Sequence, residues 1–243
     1  MFVGKLLPLL GLLPVACATP IDGLLDRRGV VGHSSLSPLA QRVMSNANGQ
    51  AIARFNPRLH IASGCQPYTA VDEAGNISGG LKPTGKPNGS CKDTSKGQTY
   101  ARIGQYNGKY GIMYAWYWPK DQPNYQVRTG AHRHDWENVV IWINDPNDPN
   151  PRILGGAASG HGEYKITDMP PRESDSAKVE YFTEIFTNHE LQFTGTVGNT
   201  YPVLDWDAMG ITMQNALSNG DFGSANVPFK DEHFLANLSK AFL

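Results

Sequence analysis

The chain has 243 residues, with 21 Lys and Arg against 22 Asp and Glu. A net charge of −1 argues against a nucleic-acid binder that relies on a broad basic field, and 40% apolar content argues against disorder outside the N-terminus. About 220 residues remain once a leader is set aside, enough for one domain with a large core.

The leader is legible. Lys5 precedes an apolar run from Leu6 to Val15, too short to span a bilayer, and Ala16-Cys17-Ala18 has the small-residue form of a signal-peptidase site. Residues 1–18 therefore read as a secretory signal peptide. Residues 19–33 read as a propeptide or flexible segment, and residues 34–243 as one domain. Asp26-Arg27-Arg28-Gly29 fits a dibasic processing site and a plain solvated linker equally. No later stretch is long and apolar enough for a membrane-spanning helix. Signal removal takes Cys17 and leaves Cys65 and Cys91. In an oxidising compartment these two thiols, separated by a Gly/Pro-rich segment, should pair rather than stay free. The bridge would close a loop of about 27 residues, worth about 3 kcal/mol in the chain-entropy model. Asn76-Ile77-Ser78, Asn88-Gly89-Ser90 and Asn237-Leu238-Ser239 are glycosylation sequons.

Residues 36–55 have the composition of a helix behind a Ser-Pro start, with Leu39, Val43 and Met44 as core contacts. Leu59 to Ala62 is a short strand. Residues 72–98 read as a long surface loop stapled by the disulfide. Tyr110 to Trp118 is apolar on both parities, which predicts a central strand. Asp121 to Ala131 is a loop, and Trp136 to Ile143 is the next strand, stopped by Asn144-Asp145-Pro146. Further strands are expected at Arg152–Ala158, Val179–Thr187 and Glu190–Thr196. Asp205 to Leu217 and Glu232 to Phe242 read as helices. No repeat and no linker interrupts this mainly β pattern.

The densest chemistry lies in Ala131-His132-Arg133-His134-Asp135-Trp136-Glu137, directly before Asn138-Val139-Val140-Ile141-Trp142-Ile143. Strand side chains alternate between faces. Asp135 and Glu137 therefore share a face with Val139 and Ile141, and His134 and Trp136 take the other. Two carboxylates aimed one way need a positive partner. Arg133 has the parity to supply a salt bridge, and a divalent cation would serve equally; spacing alone leaves both open. A cation cage needs oxygen donors from more than one segment, and Asp121 closes the preceding strand. His132 has the wrong parity unless the ladder is irregular at Arg133 or the strand starts late.

Together with Gly111-Ile112-Met113-Tyr114-Ala115-Trp116-Tyr117-Trp118-Pro119-Lys120-Asp121, this segment closely resembles the necrosis- and ethylene-inducing-peptide-like proteins (Nep1-like proteins, NLPs) of fungi, oomycetes and bacteria. The resemblance continues through Ser37-Pro38-Leu39, Gly64-Cys65-Gln66-Pro67-Tyr68, Ala70-Val71-Asp72, Gly160-His161-Gly162-Glu163-Tyr164, Trp206, Asp221-Phe222-Gly223 and Val227-Pro228-Phe229, and so covers nearly all the mature chain. The single early disulfide is similar to the type 1 subgroup of a fungal-type NLP. The resemblance implies a central β-sandwich flanked by helices, similar to actinoporins and fungal lectins. It implies a divalent cation held by Asp121, His132, Asp135 and Glu137. Carboxylate ligands point to Mg²⁺ or Ca²⁺ rather than zinc. It further implies a secreted, non-enzymatic, monomeric cytolysin. Its partners would be glycosylinositol phosphorylceramide headgroups of the plant plasma membrane and plant immune receptors.

His161, in a Gly-rich loop, and His189 are further candidates for ligand contact, with Phe186 and Asn188. Cytolytic NLPs carry an exposed Trp and an Asp-His pair where this chain reads Ile185-Phe186-Thr187-Asn188-His189. Ala131 stands where the family usually has Gly, and the Asp121–His132 connection is about three residues longer. These departures keep a second reading open, a non-cytolytic glycolipid binder or immunogenic pattern protein. A metal-dependent hydrolase is a third. It would need more zinc ligands than His161 and His189, and the chain has no Gly-x-Ser-x-Gly nucleophile elbow.

Overall fold

Both apolar runs form neighbouring strands, and both strands extend beyond the apolar residues into the polar motif. In the computed structural model, which describes residues 1, 29–123, 130–183 and 188–243, the strands in chain order are β1 (Val30–Val31), β2 (Arg58–Ile61), β3 (Ile77–Ser78), β4 (Thr99–Tyr106), β5 (Lys109–Asp121), β6 (His132–Ile143), β7 (Ile153–Gly160), β8 (Glu163–Thr167), β9 (Arg172–Glu173), β10 (Ser176–Thr183), β11 (His189–Phe193) and β12 (Val203–Asp205). The helices are α1 (Ala47–Arg54), α2 (Ile211–Asn219) and α3 (Asp231–Lys240). β5 and β6 pair antiparallel in constant register, from Tyr110 opposite Ile143 to Asp121 opposite His132. They are the centre of a six-stranded sheet in the order β12-β4-β5-β6-β7-β8.

A smaller sheet, β11-β10-β2 with β9 on the flank of β10, packs against one face of the large one. Trp118 of β5 stacks on Tyr181 of β10 with ring centroids 3.9 Å apart. Gly156 of β7 leaves room for Phe193 of β11, whose ring would lie 2.6 Å from any Cβ placed there. The opposite face of the large sheet is covered by α3 and the 222–229 loop. Trp136 packs edge-on to Phe222 and Phe229, and Trp142 Nε1 donates to the Ala241 carbonyl at 2.8 Å. Each large buried side chain of this kind contributes roughly 1.5–3 kcal/mol of burial. The chain is thus a mainly β sandwich flanked by helices.

Cys65 and Cys91 are bonded, with Cα atoms 5.1 Å apart. The loop they close is tied to the end of β5 by the buried Lys120, whose Nζ donates to the Thr84 carbonyl at 3.2 Å and the Lys86 carbonyl at 2.9 Å. No helix among the described residues is long and apolar enough to cross a membrane.

Three expectations need correction. Residues 36–45 are not helical. Arg42 N–H donates to the Val203 carbonyl and Arg42 O accepts from Asp205 N–H, both at 2.9 Å, so this stretch runs beside β12. The helix starts only where Asn46 accepts the Gly49 N–H at 3.0 Å, a side-chain N-cap that competes well with any earlier start. Leu39 and Val43 still pack on the core, but Met44 is exposed. The helix expected from Asp205 begins at Ile211, which is exposed, because Val203–Asp205 pairs with β4 instead. β4 and β8 were not expected at all. The predicted strand at 179–187 runs over Ser176–Thr183, its last residues lying outside those described, and the next begins at His189.

Candidate functional site

Side-chain alternation along β6 builds the site. Val139 and Ile141 are fully buried in the layer between the sheets. Two and four residues earlier on the same face come Glu137 and Asp135, so the interlayer space ends in carboxylates at this rim. The Asp135 side chain accepts the Tyr181 hydroxyl at 2.8 Å, and Glu137 accepts the Ser159 hydroxyl. Asp121, cross-strand from His132, is completely buried: it accepts the His189 Nδ1–H at 2.5 Å and the His189 backbone N–H at 3.0 Å.

His132 reaches the carboxylate side despite its parity. The register shows no shift there, and Arg133 remains opposite Lys120. The irregularity lies one residue on, at His134, whose φ is +62°. A non-glycine residue in the left-handed region is uncommon, and it re-aims the chain locally without inserting a residue. The His132 Nδ1 then lies 2.6 Å from the His134 carbonyl and its Nε2 3.6 Å from Asp121 Oδ2. His134 itself packs on the opposite face, with Nδ1 2.7 Å from the Tyr117 hydroxyl and its ring edge-on to Phe222. Gly80 is required beside it: a Cβ there would stand 2.7 Å from the His134 ring, and its φ is +61°.

The salt-bridge reading of Arg133 is not what the structure contains. Its guanidinium is turned outward and donates to the Gly79 carbonyl at 2.7 Å. The carboxylates are left to repel one another. Burial, and next the neighbouring Asp121, push Asp135 up to about 6. Burial, and next Asp135, hold Glu137 well above the ordinary glutamate range. Burial also lowers His134 to about 4, with the adjacent Arg133 charge adding to it.

His132, Asp135, Glu137, His161 and Asn188 line one open cavity of about 380 Å³. Asp121 and His189 stand behind its wall. The His189 ring is buried and stacks on Tyr181 at 4.6 Å, in line with Trp118, so it braces the site from within rather than facing a ligand. Its Nε2 has no hydrogen-bond partner among the described residues, and Gly64 closes over it, where a Cβ would lie 2.6 Å away. Phe186 lies outside the described residues. His161 and Gly162 form the two-residue turn between β7 and β8, both with positive φ (53° and 83°), as a tight hairpin requires. Those glycines therefore serve the turn and the packing of Glu190, which a Cβ at Gly160 would overlap. His161 Nε2 sits 3.5 Å from Glu190 Oε2.

Among the described residues, no three His, Cys, Asp or Glu side chains converge tightly enough to form a ready-made metal cage. The donor set nevertheless suits a hard cation: oxygen ligands, uncompensated charge and access from a cavity. Sequence reasoning missed Glu190, buried and paired with Lys165, and Tyr181, the hydroxyl donor to Asp135. It also missed the far wall of the cavity, where Ser224, Asn226, His233, Asn237 and Lys240 stand. The signal available was the pair of matched segments at 221–223 and 227–229, which flank that wall.

A family model described as necrosis inducing protein (NPP1) matches residues 49–241. The chain is 41% identical over 221 residues to "NLP effector protein 10" of Phytophthora capsici, covering 89% of this chain and 93% of that one. It is 42% identical over 219 residues to "Necrosis-inducing protein NPP1" of Phytophthora nicotianae, covering 88% and 91%. Among solved structures it is similar to NLPPya in complex with mannosamine, with a TM-score of 0.82 at 42% identity, covering 88% of this chain and all of that one. It is equally similar in fold to the non-toxic HaNLP3 protein, with a TM-score of 0.82 at 36% identity over 86% of this chain and 98% of that one. With residues 49–241 matched by the family model and 88–89% of the chain covered by these relatives, the chain belongs to the NPP1 family of necrosis-inducing toxins and effectors, the Nep1-like proteins.

Proposed function

We propose that this chain is a secreted toxin that binds the sugar headgroups of plant plasma-membrane sphingolipids at the carboxylate cavity and disrupts the membrane without covalent chemistry. The observation that carries the reading is the cavity itself, polar, open and floored by Asp135 and Glu137 with no described cationic side chain between them. Asp121, His132, Asp135 and Glu137 would hold a divalent cation, Mg²⁺ or Ca²⁺. A bound cation neutralises their repulsion and offers open positions to sugar hydroxyls. Complexes of the similar NLPPya with mannosamine and with glucosamine support a sugar as the ligand class. The near-neutral chain, with a net charge of −1, also favours recognition through sugar over attraction to anionic lipid.

The second reading is a non-cytolytic member that binds the glycolipid and stops there. Its support is the matching fold of the non-toxic HaNLP3 and the presence of Asn188, in place of an acidic residue, on the cavity wall. Dye release from vesicles containing glycosylinositol phosphorylceramide decides between them. The toxin reading expects release that is abolished by chelator and restored by the cation. Cation-dependent binding without release selects the second reading. Release of a cleaved headgroup would overturn both in favour of a hydrolase.

A further inference from the structure

The fold treats the three sequons differently. At Asn76 both ends of the side-chain amide are engaged: Oδ1 accepts the Gly29 N–H at 3.0 Å and Nδ2 donates to Asp72 Oδ2 at 2.9 Å. Its sequon serine, Ser78, is fully buried and its hydroxyl lies 3.1 Å from the Tyr117 hydroxyl. Asn237 is within α3 and lines the cavity, with Nδ2 donating to the Pro228 carbonyl at 3.0 Å. Its partner Ser239 is bonded to the Tyr106 hydroxyl at 2.8 Å. An oligosaccharide on either nitrogen would need the space in which these contacts are made.

Asn88 differs in each respect. It lies in the loop closed by Cys65 and Cys91, in a turn where Gly89 N–H donates to the Lys86 carbonyl at 2.9 Å. Its backbone carbonyl accepts from Cys91 N–H at 3.4 Å, but no hydrogen bond engages its side-chain amide among the described residues. Ser90 is exposed, its φ is +63°, and only its carbonyl is used, 2.8 Å from His33 Nε2. The disulfide and Lys120 hold the loop backbone; Asn88 is half-buried with its side-chain amide in no hydrogen bond among the described residues, and Ser90 is exposed.

We propose that Asn88 is the N-glycan acceptor of this chain and that Asn76 and Asn237 are not. This rests on the reading of the chain as secreted, because the reaction belongs to the secretory lumen. The co-reactant is a lipid-pyrophosphate-linked oligosaccharide. The amide Nδ2 forms a bond to C1 of its first sugar, the C1–O bond to the lipid pyrophosphate breaks, and the displaced amide proton leaves with the pyrophosphate product. No electron transfer is involved.

The test is expression of the full chain in a eukaryotic secretory host, once with residues 1–18 and once with those residues replaced by the host's own signal. Protein from the medium is treated with peptide N-glycosidase in H₂¹⁸O and mapped by mass spectrometry. The ¹⁸O label separates a former glycan from spontaneous deamidation at Asn88-Gly89. The expected result is label at Asn88 alone. Asn88→Gln should abolish the glycan, and Asn76→Gln and Asn237→Gln should leave it in place. Exported, folded protein that is unmodified at Asn88, or that carries a glycan at Asn76 or Asn237, overturns the proposal. Export with an Asn88 glycan only under the host's signal would instead overturn the secretion reading and leave the acceptor assignment standing.

Discussion

The two halves of β6 share one ladder and one alternation, yet they do opposite work. From Asn138 to Ile143 every residue is at least 95% buried, and the inward face is hydrocarbon. From His132 to Glu137 the same inward face carries carboxylates at the rim of the interlayer space. Hydrocarbon burial is favourable wherever it occurs, whereas a buried charge is costly until paired. The first half therefore supplies stability and the second forgoes it for binding. The charged half persists because Tyr181, Ser159 and His189 satisfy part of its hydrogen-bonding demand, and because the hydrocarbon half holds the strand in register.

The largest effect that could break this division lies in the hydrocarbon half. Ile141→Ala removes a fully buried side chain and is expected to cost about 2–5 kcal/mol in denaturant unfolding, with cation affinity of the folded fraction unchanged. Loss of affinity out of proportion to stability would show that the halves are not separable. Asp135→Asn should do the reverse. Calorimetry should register at least a roughly tenfold weaker cation affinity, about 1.4 kcal/mol, while unfolding in chelator shows no loss of stability, since a repelled buried carboxylate has been removed. Wild-type affinity in that variant would sink the metal assignment.

The pH dependence of chelator-treated protein comes next in size. His134 is lowered to about 4, so the unfolded chain binds the extra proton and stability rises between about pH 4 and 6.5. Asp135, raised to about 6, acts oppositely: its contribution is present below the ordinary aspartate range and lost as pH rises through about 6. Above about 6.5 these two are spent. Glu137, held well above its ordinary range by burial and by Asp135, acts in the same sense as Asp135: its contribution is present below the ordinary glutamate range and is lost as pH rises. The slope is at most about 1.4 kcal/mol per pH unit for one such group. Urea melts from about pH 4 to 8 should show the carboxylate loss in chelator offsetting the His134 gain, and added Mg²⁺ or Ca²⁺ should reduce that loss. A profile in chelator that shows only the His134 rise would mean that the carboxylates are relieved by some partner other than a cation.

The smallest effect is expected at Arg133. Its guanidinium faces solvent and reaches only the Gly79 carbonyl, so Arg133→Ala should change stability by less than about 1 kcal/mol and leave cation affinity intact. A marked loss of cation affinity would place the guanidinium back among the carboxylates.

The sequence by itself determined the central hairpin, because Tyr110–Trp118 and Val139–Ile143 are too apolar to be anything but buried strands. Alternation alone put Asp135 and Glu137 on the face of Val139 and Ile141, and Cys65 with Cys91 followed from compartment and count. β4 was legible too, since Asn107-Gly108 is a strong hairpin turn between it and β5, with φ values of 45° and 78°, yet its mixed small and polar residues concealed it. Residues 36–45 misled because helical composition is a weak local preference. The backbone bonds of Arg42 to Val203 and Asp205 outweigh it, and they join residues about 160 positions apart. Tertiary structure alone decided that His132 joins Asp121, beside a left-handed residue at His134 whose ring is seated against Gly80, where a Cβ would collide with it. It alone turned Arg133 away, put His189 behind Asp121 rather than before a ligand, and brought Glu190 and α3 to the cavity. Those outcomes depend on which side chains arrive from distant strands, and no local periodicity encodes them.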